Sequence, residues 1–266
     1  MGDKVFVYPL MPQPLLDSDE LVIPDISHIV TEDDAPVDNF QSEKQQRLLV
    51  EPLYSSWSPE VPFVAAANVG IFYALKQEPI VPDTFLSLRV QMPQDWSQKQ
   101  HRSYFVWEFG KVPEVCIEIV SNRKGDELGG KKELYAQIGV TYYAVFDPLE
   151  QIQEAKQMHG ELLRVWALVA GRYVELPPPL WLETVGLGLT LWSGAFEQQT
   201  GLWLRWCDQS EQIIPTGAER AEQEERRANA EQERAEEESQ RANLEQQRAD
   251  RLAERLRAMG IDPMEI

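Results

Sequence analysis

A mixed α/β fold is predicted for the centre of this chain by three observations. Short runs dense in β-branched and aromatic residues recur between 61 and 207, among them "EVCIEIVS" (114–121) and "YYAVF" (142–146). Between those two lies a segment of helical pattern, "ELGGKKELYAQIG" (127–139), so a strand–helix–strand unit in a sheet flanked by helices is expected. Composition changes at both ends: residues 1–39 hold Pro9, Pro12, Pro14, Pro24, Pro36 and the run Glu32–Asp34, and no Gly or Pro stands between Gly217 and Gly260. The chain therefore divides into an extended acidic arm (1–39), a core (40–215) and a charged helical tail (216–266).

In chain order, the arm reads as extended, with one short strand at Leu21–Ile23. Residues 40–54 read as a helix that Pro52 interrupts. "VPFVAAANVGIFYAL" reads as one or two strands around Gly70, and "IVPDTFLSLRV", "SYFVWEF" and "EVCIEIVS" as strands. Leu134 and Ile138 share one face of the helix that follows, and Gly139 stops it. "YYAVF", apolar on both faces, suits a buried strand. "LLRVWALV" and "RYVEL" form a hairpin across Ala170–Gly171, "PLWLETVGLGLTLWSGAF" supplies edge strands or a cover, and "GLWLRWCD" closes the core. In the tail Ala221, Ala228, Ala235, Ala242 and Ala249 recur every seven residues, each after an Arg. Glu224, Glu231, Glu238 and Glu245 occupy the second seam position, so the tail reads either as a solvated single helix or as a weak coiled coil.

The 266 residues carry 44 acidic and 25 basic side chains, a net charge of −19. Much of the acidity lies in the arm and the tail, so the core is only mildly acidic, and Arg123, Lys124, Lys131 and Lys132 cluster within it. A nucleic-acid partner is therefore not excluded by charge. No run approaches the ~18 apolar residues of a membrane span, and the N-terminus lacks the pattern of a secretory signal. Two separated cysteines, Cys116 and Cys207, exclude a disulfide scaffold and point to a reducing cytoplasm. His28, His101 and His159 do not converge on a zinc or triad pattern. The glycines of "ETVGLGLTLW" lack the strand–helix context of a phosphate loop.

Three core acids stand out. Asp83 follows Pro82 at the start of an apolar strand, Glu118 sits inside one, and Glu108 ends "SYFVWE". Burying a carboxylate in such a strand is costly unless a cation pairs with it, and Lys131 and Lys132 open the next helix. Two strand acids and a helix lysine fit an oxygen-ligand magnesium site with a cation beside it. Spacing alone equally allows Glu118 as a solvent-facing edge-strand acid, Asp83 as a turn residue and Lys131 as a surface lysine.

"PIVPDTFLSL", "VPEVCIEIVS" and "KGDELGGKKELYAQIGVTYYAVFDP" resemble, in order and spacing, the Uma-two family of bacterial proteins, within the restriction-endonuclease-like PD-(D/E)XK superfamily. The resemblance covers roughly residues 60–207. It implies a restriction-endonuclease-like mixed sheet and a Mg²⁺- or Mn²⁺-dependent endonuclease that hydrolyses DNA phosphodiester bonds. It implies Asp83 and Glu118 as metal-binding acids; in a Mg²⁺ site of this kind the carbonyl of Ile119 is a further candidate ligand. Val120 stands where the superfamily has its lysine, and Lys131, four residues before Tyr135, takes that role in the family, with Lys132 as its substitute. Glu108 matches an acid of a subgroup. Arg123 and Lys124, after the Glu118 strand, either contact the DNA backbone or are solvated loop charges. Residues 1–60 show no equivalent of the helix and acidic hairpin with which typical members begin. The alternative function is a catalytically silent, nuclease-like binding or assembly protein that recruits a protein partner through its tail helix. A homodimer through the core is expected, since double-strand cleavage in this superfamily usually uses two sites.

Overall fold

The computed structural model describes residues 39–123 and 126–259. The arm over 1–38 with its expected strand at Leu21–Ile23, His28, Lys124 and the end of the tail from Gly260 lie outside the described residues. Helix α1 (Phe40–Ser55) starts at Asn39, whose side chain accepts from the backbone N–H groups of Gln41 and Ser42, each at 3.0 Å. It continues through Pro52 instead of stopping there. Proline removes one N–H bond from the last turn, and burial of Leu49 and Leu53 on either side offsets that loss.

Strands β1 (Phe63–Ala67), β2 (Ile71–Phe72) and β3 (Thr84–Leu88) follow, with Gly70 between the first two. "SYFVWEF" is not one strand. It is a two-residue β4 (Tyr104–Phe105) followed by a single turn of helix, α2 (Val106–Phe109), that ends at left-handed Gly110. Next come β5 (Val115–Ile119), α3 (Gly130–Ile138) and β6 (Tyr142–Phe146). Gly139, at φ 94°, ends α3 in the left-handed conformation that favours glycine. The hairpin β7 (Leu163–Val169) and β8 (Arg172–Glu175) turns through Ala170 and Gly171, both at positive φ. Finally β9 (Leu180–Leu182), β10 (Leu187–Phe196) and β11 (Gln199–Cys207) precede α4 (Gly217–Ala258).

Six strands form one mixed sheet in the order β1-β3-β5-β6-β7-β8. Within this sheet β5 and β6 pair in parallel, joined across α3, and the other neighbours are antiparallel; β2 and β4 form a separate parallel pair. The central strands β3, β5 and β6 are buried at every residue, which explains their nearly unbroken apolar sequence. One face of the sheet, with Leu86, Ile117, Ile119 and Ala144, packs against Leu49 and Leu53 of α1 and against the three-stranded sheet β11-β10-β9. The opposite face, with Phe85, Cys116, Tyr143 and Val145, is covered by Tyr135 of α3 and by Ile71 and Tyr104. Glu118 shares the pleat of Cys116 and points to this second face.

The apolar residues of the expected edge segment are turned inward: Leu182, Val185, Leu187 and Leu189 belong to the core. Helix α4 has no buried residue among its described positions. Its start is nevertheless docked. Thr216 and Glu219 form a capping box, and Glu219 also accepts two hydrogen bonds from Arg205 of β11, at 3.1 and 2.7 Å. Among the described residues, no helix is long and apolar enough to cross a membrane.

Candidate active site

Asp83 immediately precedes β3, and Glu118 is the penultimate residue of the neighbouring β5. Register sets Thr84 opposite Ile117, so both acids reach the same end of the sheet, at the carboxyl end of the parallel β5–β6 pair. The contact is direct at the backbone: Asp83 Oδ2 accepts from the Ile119 N–H at 2.6 Å. The other oxygen, Oδ1, accepts from the Gln46 side-chain amide at 3.0 Å.

Glu118 is only 1% exposed. Its Oε2 accepts from the Lys131 ammonium at 2.8 Å, and its Oε1 from the Tyr135 hydroxyl at 2.8 Å. Both donors come from α3, one helical turn apart, which places them on one face of the helix. Burial pushes the Glu118 carboxyl up to about 8; Lys131 pulls against that shift and the charge of Asp83 adds to it. Burial works to lower the Lys131 ammonium, yet the negative charges of Glu118, Glu127 and Asp83 hold it above its ordinary value. One lysine therefore feels three acids, two from the sheet and one from the loop before α3.

The solvent-facing edge position open to Glu118 on spacing alone is excluded, since β5 is central and the side chain is buried. Ile119 is 3% exposed and donates its N–H to Asp83. Lys132 is not part of this group: its ammonium lies 3.7 Å from the centroid of the Trp166 ring, where burial and then Arg164 lower it to about 8. Glu108 is exposed on α2 and lines a cleft with Arg89, Gln91 and His101 that includes none of Asp83, Glu118 and Lys131. Arg123 is exposed in the turn after β5.

Sequence reasoning missed Gln46, Asn68 and Glu127. Gln46, 4% exposed on α1, exchanges side-chain amide hydrogen bonds with Asn68, the residue after β1, and this pair holds it against Asp83. The signal was present: Ser42, Gln45 and Gln46 continue the Leu49–Leu53 stripe backwards at helical spacing, so polar groups occupy an inward face. Glu127 is 8% exposed, and its Oε2 is buried without a hydrogen-bond partner. Its backbone carbonyl accepts from the Tyr143 hydroxyl at 2.6 Å.

Two carboxylates and neighbouring main-chain oxygens are the donor type that hard divalent cations take, and a cation between the acids would relieve the cost of two negative charges side by side. The set is sparse: among the described residues, no group of three or more His, Cys, Asp or Glu converges. The neighbour that Asp83 meets from α1 is the amide of Gln46, which donates a hydrogen bond to it and carries no charge.

Residues 29–190, more than half of the chain, match the family model described as "Uma2: Putative restriction endonuclease". The chain belongs to the Uma2 family. Asp83, Glu118, Lys131 and Tyr135 all lie inside the matched region, as does α1 with Gln46. A solved structure described as "a putative nuclease belonging to DUF820" from Anabaena variabilis is 18% identical to this Uma2 chain. The match covers 55% of this chain and 73% of that one, with a TM-score of 0.37. No curated protein matches.

Proposed function

We propose that this Uma2 protein is a Mg²⁺- or Mn²⁺-dependent endonuclease that hydrolyses DNA phosphodiester bonds. The observation that supports it is the meeting of Asp83, Glu118 and Lys131 at one end of the sheet. Asp83, Glu118 and the carbonyl of Ile119 would hold the cation, which when bound supplies a Lewis acid and a water of lowered pKa. Gln46 and Tyr135 keep the two carboxylates in one orientation, so neither turns away when substrate arrives. In this reading Lys131, beside Glu118, would orient the attacking water and offset charge on the phosphate. Arg123 and Lys124 contact the backbone of the strand. The proposal includes a homodimer through the core, since cutting both strands takes two such centres.

The second reading, a nuclease-like binding or assembly protein that no longer cuts and uses α4 to recruit a protein partner, is favoured by the sparse donor set. Nicking of supercoiled plasmid decides between them. Nicking that requires Mg²⁺ or Mn²⁺ and falls at least about a hundredfold in Lys131→Ala and Asp83→Asn, with the fold retained, supports the endonuclease. No metal-dependent nicking by the parent protein supports the silent reading.

A further inference from the structure

A cavity of about 460 Å³ opens beside β1 and β3. That is the size of a small-molecule site, and its walls are apolar and aromatic, with Phe85, Tyr104, Phe109 and Trp96 among them. Phe85 is two residues along β3 from Asp83, and its partner Cys116 is two residues along β5 from Glu118. Side chains two apart on a strand share a face, so Phe85, a wall of the cavity, lies on the same side of the sheet as Asp83, about 7 Å along the strand.

Two features of the cavity are not explained by packing. Trp96 is 63% exposed and Met92 43% exposed, although both are large and apolar. Trp96 is also held in place: its indole N–H donates to the Pro93 carbonyl at 2.7 Å, and Arg102 grips the Trp96 carbonyl at 2.9 Å. The loop is thus tied to itself and presents a fixed ring to solvent. The second feature is charge. Between 89 and 102 the chain carries Arg89, Lys99, His101 and Arg102 against a single acid, Asp95, in a protein of net charge −19. An aromatic slot in a basic segment suits a ligand that is planar and apolar in one part and anionic in another.

We infer that this cavity holds one unpaired base of a DNA strand whose phosphate lies at Asp83 and Glu118. The inference rests on the endonuclease reading for the placement of that phosphate, but the slot is testable without cleavage. The probes are a fluorescent ten-nucleotide deoxyadenosine strand and an abasic ten-mer of equal charge, their binding read by anisotropy in chelating buffer. The base-bearing strand should bind about tenfold tighter than the abasic strand, the range expected when one base stacks on aromatic side chains. That advantage should disappear in Trp96→Ala, which removes the stacking ring, and in Ala66→Leu, which fills the slot from its floor. Thermal unfolding of both variants should match the parent protein. Equal binding of the two strands, or an advantage that survives in both variants, would overturn the slot. Mn²⁺ binding by the same proteins, measured separately in chelator-free buffer, separates the two ideas. If the base advantage is lost while cation binding remains, the slot alone is rejected. If cation binding fails while the base advantage remains, the slot stands and the endonuclease reading falls.

Discussion

Glu118 spends its life almost wholly out of water, and a carboxylate in that position makes the protein's stability depend on pH. In the folded chain burial pushes its pKa up to about 8, from the ordinary glutamate value of 4.5. A raised acid favours the folded state while it is protonated, so this contribution is complete below about 4.5 and is lost as pH rises through about 8. In chelating buffer, urea unfolding should show the parent protein losing stability between pH 5 and 8, with a slope of at most ~1.4 kcal/mol per unit. Glu118→Gln, which keeps the shape and the Tyr135 contact but cannot ionise, should be flatter over the same interval. Equal slopes in the two proteins would mean that Glu118 stays charged beside Lys131 throughout.

At the scale of elements, the junction between β11 and α4 carries an interaction that the sequence alone conceals. Arg205 is 1% exposed, and its guanidinium is met by the Glu219 carboxylate and by the Ile214 carbonyl. The tail carries few large apolar residues before Leu252, which suggests that the core folds without it, but a cut at Pro215 strands a buried arginine. The loss should be about 2 kcal/mol, below the ~3–5 of a fully buried pair because the Glu219 side chain is 34% exposed. A protein ending at Glu224 keeps Glu219 and also the Arg220 contact to the Ser55 carbonyl, and should unfold like the full chain. Equal melting of the proteins ending at 215 and 224 would show that Arg205 does not need the helix.

What was legible in the sequence at this scale was local. The β5–α3–β6 unit, the β7–β8 hairpin and α4 follow from apolar periodicity, Gly139 and the uninterrupted tail. The continuation of α1 past Pro52 and the split of "SYFVWEF" depend on tertiary packing that no window of sequence contains. The same distinction runs through the candidate site. Asp83, Glu118 and Lys131 come from motif positions, whereas Gln46 reaches Asp83 across 37 residues of separation and is visible only once α1 lies on the sheet.

On the scale of the whole molecule, α4 extends 42 residues, about 63 Å at 1.5 Å per residue, from a fixed base at Arg205. Its alanine seam is flanked by exposed charges, with Leu244, Leu252 and Met259 exposed towards the far end. Such a seam offers little apolar area for a strong zipper, which leaves the core as the expected dimer surface. The proposed homodimer should therefore persist in a protein ending at Glu224, read as a dimer mass for both proteins in light scattering. A fall to the monomer mass would make α4 the oligomerisation element.

In the proposed function Asp83 and Glu118 share one divalent cation beside Lys131. Calorimetric titration of Mn²⁺ into the parent protein, Asp83→Asn and Glu118→Gln tests it most directly. One site per chain is expected in the parent protein, and at least tenfold weaker binding in each variant, with both variants folded. Binding of equal strength in all three proteins, or none in the parent protein, would contradict it.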